Sequence, residues 1–275
     1  MSSTALPLHV ETKGEGPPLL LLHGFGASRF TWRRWVPELA GRHTLYLVDL
    51  KGCGAAPKPR DGAYGPHDQA ELLHRLVVEE DLRELAVLGH SLGGGLALLL
   101  ALRLEDAGEG WRLRRLVLLE ATAYAQGLPR YIGMAHRVPL VLGRLAARFV
   151  PARWLVRRIL RQIVHDPAQV TEEQVRGYAA PFAEPACRHA VVEAARQLIP
   201  PDLDRLVTRY PELRTPTLLV WGRQDPVVPP WVGERLAGDL PRARLVVLDR
   251  CGHLPMEERP EAALEEVVRF LEEGG

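Results

Sequence analysis

Asparagine is absent from this chain of 275 residues, and lysine and serine are nearly so. Of 35 basic residues only Lys13, Lys51 and Lys58 are lysines, which leaves 32 arginines. Loss of asparagine suits a protein that works hot, because the side chain is thermolabile. It suits a GC-rich genome equally well. The serines are Ser2, Ser3, Ser28 and Ser91, so a serine nucleophile has few candidates. Cysteine is scarce too. Cys53, Cys187 and Cys251 are odd in number, scattered and without metal-ligand spacing. That argues against a disulfide framework or a metal site, and for reduced cytosolic thiols. Neither charge is in excess. A net charge of +1 lacks the basic footprint that nucleic-acid binding needs. The longest apolar run, near Leu96 to Leu102, falls far short of the roughly 20 residues of a membrane span. The opening MSSTALPLHV has no basic stretch leading into an apolar one, so no signal peptide is expected and the expected compartment is the cytoplasm.

What is present is a rhythm of short apolar runs and longer helical patterns. Strands are expected at Pro18–Leu22, Thr44–Val48, Leu85–Leu88, Leu116–Leu119, Thr217–Val220 and Leu245–Leu248. Helices are expected at Phe30–Ala40, Pro66–Val78, Leu92–Leu104 and Glu261–Leu271. Continuously apolar strands are buried on both faces. Their alternation with helices predicts an α/β fold, a mostly parallel central sheet with helices on both sides. From about 123 to 213 no strand pattern occurs. Helical pattern is broken there by Pro129, Pro139, Pro151, Pro167, Pro181, Pro185 and Pro200-Pro201. That stretch is too long for a plain loop, so it is expected to be an all-helical insertion. Residues 1–122 and 214–275 then form the core, and 123–213 a lid.

Gly89-His90-Ser91-Leu92-Gly93 lies between an expected strand and an expected helix. In that setting G-x-S-x-G is a sharp turn that lifts the serine above the sheet. The residues two before and two after must be tiny, or strand and helix would collide. The Leu92 N–H opens the helix, where partial positive charge favours an oxyanion. A second donor is expected from the loop after the first buried strand, His23-Gly24-Phe25-Gly26, with the Phe25 N–H as candidate.

A serine hydroxyl needs a base. Of 10 histidines, His23, His90 and His253 lie at strand ends, and the other seven read as surface or loop residues. His253, just past the last strand, is placed to reach the serine. His90 adjoins the serine in sequence, so its side chain is expected to point elsewhere, and His23 is expected to order its own loop. The base needs an acid to fix its tautomer. Asp225 ends a strand and lies between Ser91 and His253 in sequence. Glu120 is its rival, and Asp49 is expected to brace a loop.

HGFG, DLKGCG, GHSLGG, WGRQD and CGHLP occur in this order over nearly the whole chain. In them the sequence resembles the α/β-hydrolase superfamily, in the serine esterase branch with a helical lid after strand six. The resemblance implies an active site at the C-terminal strand ends, roofed by the lid. It also implies cleavage of small-molecule carboxylic esters through an acyl-serine intermediate. Ser91 would attack, His253 would shuttle the proton and Asp225 would orient it, with no cofactor or metal. Phe25 and Leu92 amides would hold the oxyanion, each worth roughly 3–4 kcal/mol. His23, Gly24, Gly89, His90 and Gly93 would support the elbow and the loop. Two departures stand out. Only about Leu6 to Thr12 precedes Gly14, so the sheet is expected to have seven or eight strands. Ala55 and Ala56 follow DLKGCG, where many relatives carry Ser or Asp.

Relatives with an aspartate nucleophile do not fit Ser91, and carbon–carbon hydrolases usually carry Trp where Leu254 stands. C–C hydrolase, lactonase, acyltransferase and cofactor-free perhydrolase activities on the same triad stay open, as does a non-catalytic small-ligand receptor. From Tyr124 to His165 the lid holds eight arginines and no Asp or Glu. Val156, Ile159, Leu160 and Ile163 form an apolar stripe opposite Arg153, Arg157, Arg158 and Arg161. The stripe is expected to pack over the pocket with a solvated basic face outside. Contact with a lipid surface and a homodimer contact stay open. Acidic residues late in the chain, including Glu257 and Glu258, are expected to offset the basic charge.

Overall fold

The computed structural model describes residues 6–125 and 151–273. Its strands are β1 (His9–Lys13), β2 (Pro18–Leu22), β3 (Thr44–Asp49), β4 (Leu85–His90), β5 (Leu113–Leu119), β6 (Thr217–Gly222) and β7 (Ala243–Leu248). They form one seven-stranded sheet in the order β1-β3-β2-β4-β5-β6-β7. β1 pairs antiparallel with β3, and the other pairings are parallel. Of the two strand counts expected, seven is the one observed.

Helices among the described residues are α1 (Val36–Ala40), α2 (Pro66–Glu79), α3 (Leu92–Asp106), α4 (Ala152–Ile163), α5 (Glu172–Ala179), α6 (Pro185–Arg196), α7 (Leu203–Val207), α8 (Pro230–Asp239), α9 (Pro255–Glu258) and α10 (Pro260–Glu272). The apolar strands feed two cores, because successive side chains point to opposite faces. Leu20, Leu22, Val87, Leu118 and Trp221 pack with α2, α3 and α8. Leu19, Leu21, Leu88, Leu119 and Val220 pack with Leu39 of α1 and with α10. α2 starts where Gly65 precedes Pro66, and Asp68 Oδ2 accepts the Gly65 N–H at 2.9 Å. A proline in the first turn costs nothing, since that N–H has no helical partner.

The helix expected over Phe30–Ala40 is broken. Arg29–Trp32 is a 3-10 turn, and α1 begins only at Val36. Pro37 is the reason. It has no N–H to donate back to Arg33, and its fixed φ suits the first turn of a new helix better than the interior of a longer one.

Between β5 and β6 the described residues form α4 to α7 and 3-10 turns, with no strand. Arg130, Arg137, Arg144 and Arg148 of the basic stretch lie outside the described residues. On α4, Val156 and Leu160 are buried and Ile159 is exposed, so the expected apolar stripe is covered only in part. Ile159 sits on the flank of that stripe, about 60° round from Val156 at the helical period. Arg157 pairs with Glu172, and Arg153 approaches the same carboxylate at 3.4 Å. No described helix is long and apolar enough to cross a membrane.

Candidate active site

The chain steps outward from β2 to β3, then returns to lay β4 on the other side of β2. A crevice opens outside the strand ends at such a reversal. Ser91 follows β4 and the His23–Phe25 loop follows β2, so both border that crevice.

Ser91 has φ 54° and ψ −115°. A non-glycine residue held there costs about 1–3 kcal/mol, which the surroundings must over-determine. They do. Its N–H donates to Leu119 O at 2.9 Å, and its carbonyl accepts from Gly94, Gly95 and Thr122 at 3.0–3.1 Å. The tiny residues expected on either side are required by contact. A Cβ on Gly89 would lie 2.3 Å from Gly93 O, and one on Gly93 would lie 2.2 Å from Leu22 O.

Three buried side chains meet at this turn. Ser91 Oγ lies 3.0 Å from His253 Nε2. His253 Nδ1 lies 2.8 Å from Asp225 Oδ2. Asp225 Oδ1 accepts the N–H groups of Val227 at 2.7 Å and Val228 at 3.1 Å. The carboxylate can only accept, so Nδ1 carries the histidine proton and Nε2 is left to take one from the serine.

Glu120, the rival acid, is also here. Its Oε1 accepts the Gly222 N–H at 2.9 Å. Its Oε2 stands 3.6 Å from both His253 Nδ1 and His90 Nε2 and makes no hydrogen bond. Burial first, and then the Asp225 charge, push this carboxyl well above the usual carboxylate range. That shift favours the neutral form of Glu120, and Asp225 is the acid hydrogen-bonded to the imidazole.

His90 points away from Ser91 but not away from the site. Its Nε2–H donates to His253 O at 2.8 Å, and the two rings lie 4.9 Å apart. Burial and the neighbouring His253 hold His90 well below its ordinary pKa, which keeps it neutral. His23 ties two loops together, donating from Nδ1 to Gly24 O at 2.8 Å and accepting the Leu50 N–H at Nε2 at 3.2 Å. Gly24 packs against this cluster, since a Cβ there would lie 2.9 Å from His90 Nδ1. Asp49 holds the loop after β3, accepting the Ala55 N–H at 2.9 Å and the Arg29 N–H at 2.7 Å. Leu92 is the first residue of α3. Among the described residues the Phe25 and Leu92 N–H groups have no hydrogen-bond partner. Phe25 and Leu92 line a mainly apolar cleft with Leu50, Tyr64, Ala190 and Leu198.

His90, Glu120 and His253 bring three ligand-type atoms within 4.8 Å of one another. Two are already engaged, His253 Nδ1 by Asp225 and His90 Nε2 by the His253 carbonyl. That donor set serves a hydrogen-bonded cluster and does not fit a metal centre.

The late acidic residues are not simply charge balance. Glu257 is buried, and its carboxylate accepts from Arg33 at 2.5 and 3.0 Å, Gln174 at 3.0 Å and the Tyr178 hydroxyl at 2.9 Å. Glu258 accepts three backbone N–H groups around His253. The one sequence signal for either was position, a proline-started helical turn directly after the histidine. His43, expected at the surface, is buried as well.

Sheet order and elbow geometry together are those of an α/β-hydrolase scaffold. A family model described as "Alpha/beta hydrolase family" matches residues 19–267, and the chain belongs to this family. It is similar to an uncharacterized hydrolase, YugF, of Bacillus subtilis, 29% identical over 92% of this chain and 89% of that one. It is also similar to a pimeloyl-acyl-carrier-protein methyl ester esterase of Aeromonas hydrophila, 30% identical over 97% of this chain and all of that one. Among solved structures, a thermophilic esterase from Thermogutta terrifontis matches with a TM-score of 0.79 at 26% identity, over 96% of this chain and 92% of that one.

Proposed function

We propose that the chain is a serine hydrolase of carboxylic esters with short to medium acyl groups, and that residues 123–213 act as its lid. The observation that carries this reading is the relay of 3.0 and 2.8 Å from Ser91 through His253 to Asp225. Ser91 Oγ attacks the ester carbonyl while its proton passes to His253 Nε2. The tetrahedral oxyanion is held by the Phe25 and Leu92 N–H groups, which lack protein partners among the described residues. His253 then gives the proton to the departing alcohol, leaving an acyl-Ser91 ester. Water repeats the cycle, losing its proton to His253 and releasing the acid. Asp225 stays ionised throughout and stabilises the imidazolium. The cleft beside Phe25 and Leu92 is apolar but only about 20 Å³, so its walls must part to admit an acyl chain. Incubation with p-nitrophenyl acetate, butyrate and octanoate tests the reading. Turnover is expected on at least one ester, and none on any of them from folded protein overturns it.

One observation favours a narrower substrate. The likeness to the Aeromonas enzyme spans 97% of this chain, and α4 carries Arg158 and Arg161 on the same side as Arg153 and Arg157, which share Glu172. Such a face would attract an ester carried on an acidic protein. A carrier-bound methyl ester cleaved no faster than the free ester at low salt would remove this version.

A further inference from the structure

Glu258 closes α9, five residues after His253, and its carboxylate turns back on the loop that holds the histidine. Oε1 accepts the Leu254 N–H at 3.1 Å, and Oε2 accepts the Gly252 N–H at 2.9 Å. These two donors flank His253. The third N–H on this carboxylate belongs to His165, just beyond α4, at 2.6 Å. The His253 N–H itself donates to Ile163 O, the last residue of α4, at 2.8 Å. From below, His90 Nε2–H holds the His253 carbonyl at 2.8 Å. Gly252 lies so close to the same segment that a Cβ there would stand 2.5 Å from Ile163 O and 2.6 Å from His165 N. The backbone of the base is therefore fixed from two sides. One side is the elbow residue His90. The other is the end of the insertion, reached directly through Ile163 and indirectly through Glu258.

We propose that Glu258 is a positioning residue. It fastens the loop carrying His253 to the end of α4, so that the seating of the insertion sets the register of His253 against Ser91. The inference rests on His253 acting as the base, as in the reading above. Proton transfer needs the base within about 2.6–3.2 Å of the hydroxyl, and a displacement near 1 Å costs about a hundredfold. A carboxylate is suited to the task because its two oxygens accept all three N–H groups at once. Glutamine has one accepting oxygen. It can keep the Gly252 and His165 bonds only by turning its own NH2 group onto the Leu254 N–H.

The test compares wild type with Glu258→Gln, Glu258→Ala and Gly252→Ala, each held well below its melting midpoint. Two kinetic readouts are taken, beside amide exchange and a thermal melt. The first is the rate at which a fluorophosphonate labels Ser91, which requires an activated serine but not an ester substrate. The second is kcat and KM on p-nitrophenyl butyrate. In Glu258→Ala the labelling rate and kcat are expected to fall about 30-fold or more, with KM within about 3-fold. Glu258→Gln should fall part way. Gly252→Ala, whose methyl pushes residues 163–165 outward, should fall in the same direction. Amide exchange at Gly252, Leu254 and His165 should accelerate together in Glu258→Ala, while the β4 and β5 amides stay protected. Unchanged labelling and kcat in folded Glu258→Ala and Glu258→Gln, with only a lower melting temperature, would make Glu258 a stabilising clasp and overturn the proposal. If wild type labels but turns over no ester, and labelling still falls in Glu258→Ala, the ester reading fails and the positioning role stands. If wild type neither labels nor turns over, His253 is not a working base and the proposal falls with it.

Discussion

Replacing Asp225 by asparagine removes one charge and leaves the shape. The bonds around Asp225 determine which way the new amide faces. Oδ1 accepts two N–H groups, from Val227 at 2.7 Å and Val228 at 3.1 Å. In Asp225→Asn the amide oxygen must occupy that place. The reverse orientation would set an NH2 group against two N–H donors and leave both buried and unpaired, at about 1–3 kcal/mol each. The NH2 group therefore faces His253 Nδ1, where Oδ2 now stands at 2.8 Å. It donates, so Nδ1 must accept, and the histidine proton moves to Nε2. A protonated Nε2 cannot take the Ser91 proton across 3.0 Å. The expected loss in kcat on p-nitrophenyl butyrate near neutral pH is about 10³- to 10⁴-fold, or about 4–5.5 kcal/mol. KM should stay within about 3-fold, because the apolar cleft beside Phe25 and Leu92 is untouched. Circular dichroism and a thermal melt would verify folding. A folded Asp225→Asn protein with more than about a tenth of wild-type kcat would refute the tautomer reasoning.

Ser91→Ala should abolish ester turnover with little change in melting temperature, because alanine meets the same backbone strain and the Oγ makes one hydrogen bond; retained turnover would move the nucleophile elsewhere. Glu120→Gln should leave kcat and its pH profile nearly unchanged, because the amide mimics a neutral carboxyl and its oxygen still accepts the Gly222 N–H. A shifted acid limb in kcat/KM would mean that Glu120 is ionised in the wild type. Arg33→Met should lower the melting temperature strongly, since it strands the buried Glu257 carboxylate at a cost of about 3–5 kcal/mol; a melt within a degree or two of wild type would mean that Gln174 and Tyr178 suffice. Burial pushes the Cys187 thiol up to about 11 and raises Cys251 further. Ellman's reagent should therefore react slowly with the native protein at mildly alkaline pH and reach all three thiols in guanidinium.

Much of this was legible in the sequence because the relevant signals are local. LLLL at 19–22, LAVL at 85–88 and LLVW at 218–221 are apolar at every position, and a strand buried on both faces has a use for that pattern. The elbow was legible because two close backbone approaches demand glycine on either side of Ser91. The break at Pro37 was legible in principle, since proline acts on its own neighbours, but the apolar spacing of Trp32, Trp35, Val36 and Leu39 outweighed it. Those four side chains do turn inward, along a 3-10 turn and a short helix in place of one long helix. What sequence could not supply was the burial of charge. Glu257 and Glu258 look like any solvated acidic pair. Their partners Arg33, Gln174, Tyr178 and His165 lie 224, 83, 79 and 93 positions away in the chain. No pattern within one segment reports such a pairing. His43 is a different case, buried with no hydrogen-bond partner on Nδ1.

Two carboxyl groups stand beside His253, and their difference explains why one of them suits the acid role. Both are at strand ends and both are buried, so burial alone cannot separate them. Hydrogen bonding does. Asp225 accepts two N–H groups on one oxygen and the imidazole N–H on the other, so both its oxygens are satisfied. Glu120 accepts a single N–H and leaves its second oxygen without a partner, which offsets little of the cost of charging it out of reach of water. Once Asp225 is ionised, its charge raises the cost of ionising Glu120 further. The pair therefore settles with one charge, on the carboxyl 2.8 Å from Nδ1. The other stays 3.6 Å away. Removing the Asp225 charge lifts part of the penalty on Glu120, so some of the activity left in Asp225→Asn should depend on it. Asp225→Asn/Glu120→Gln should then be slower than Asp225→Asn alone, although Glu120→Gln by itself costs almost nothing. Equal rates for the single Asp225→Asn and the double variant would show that Glu120 contributes no charge in either background.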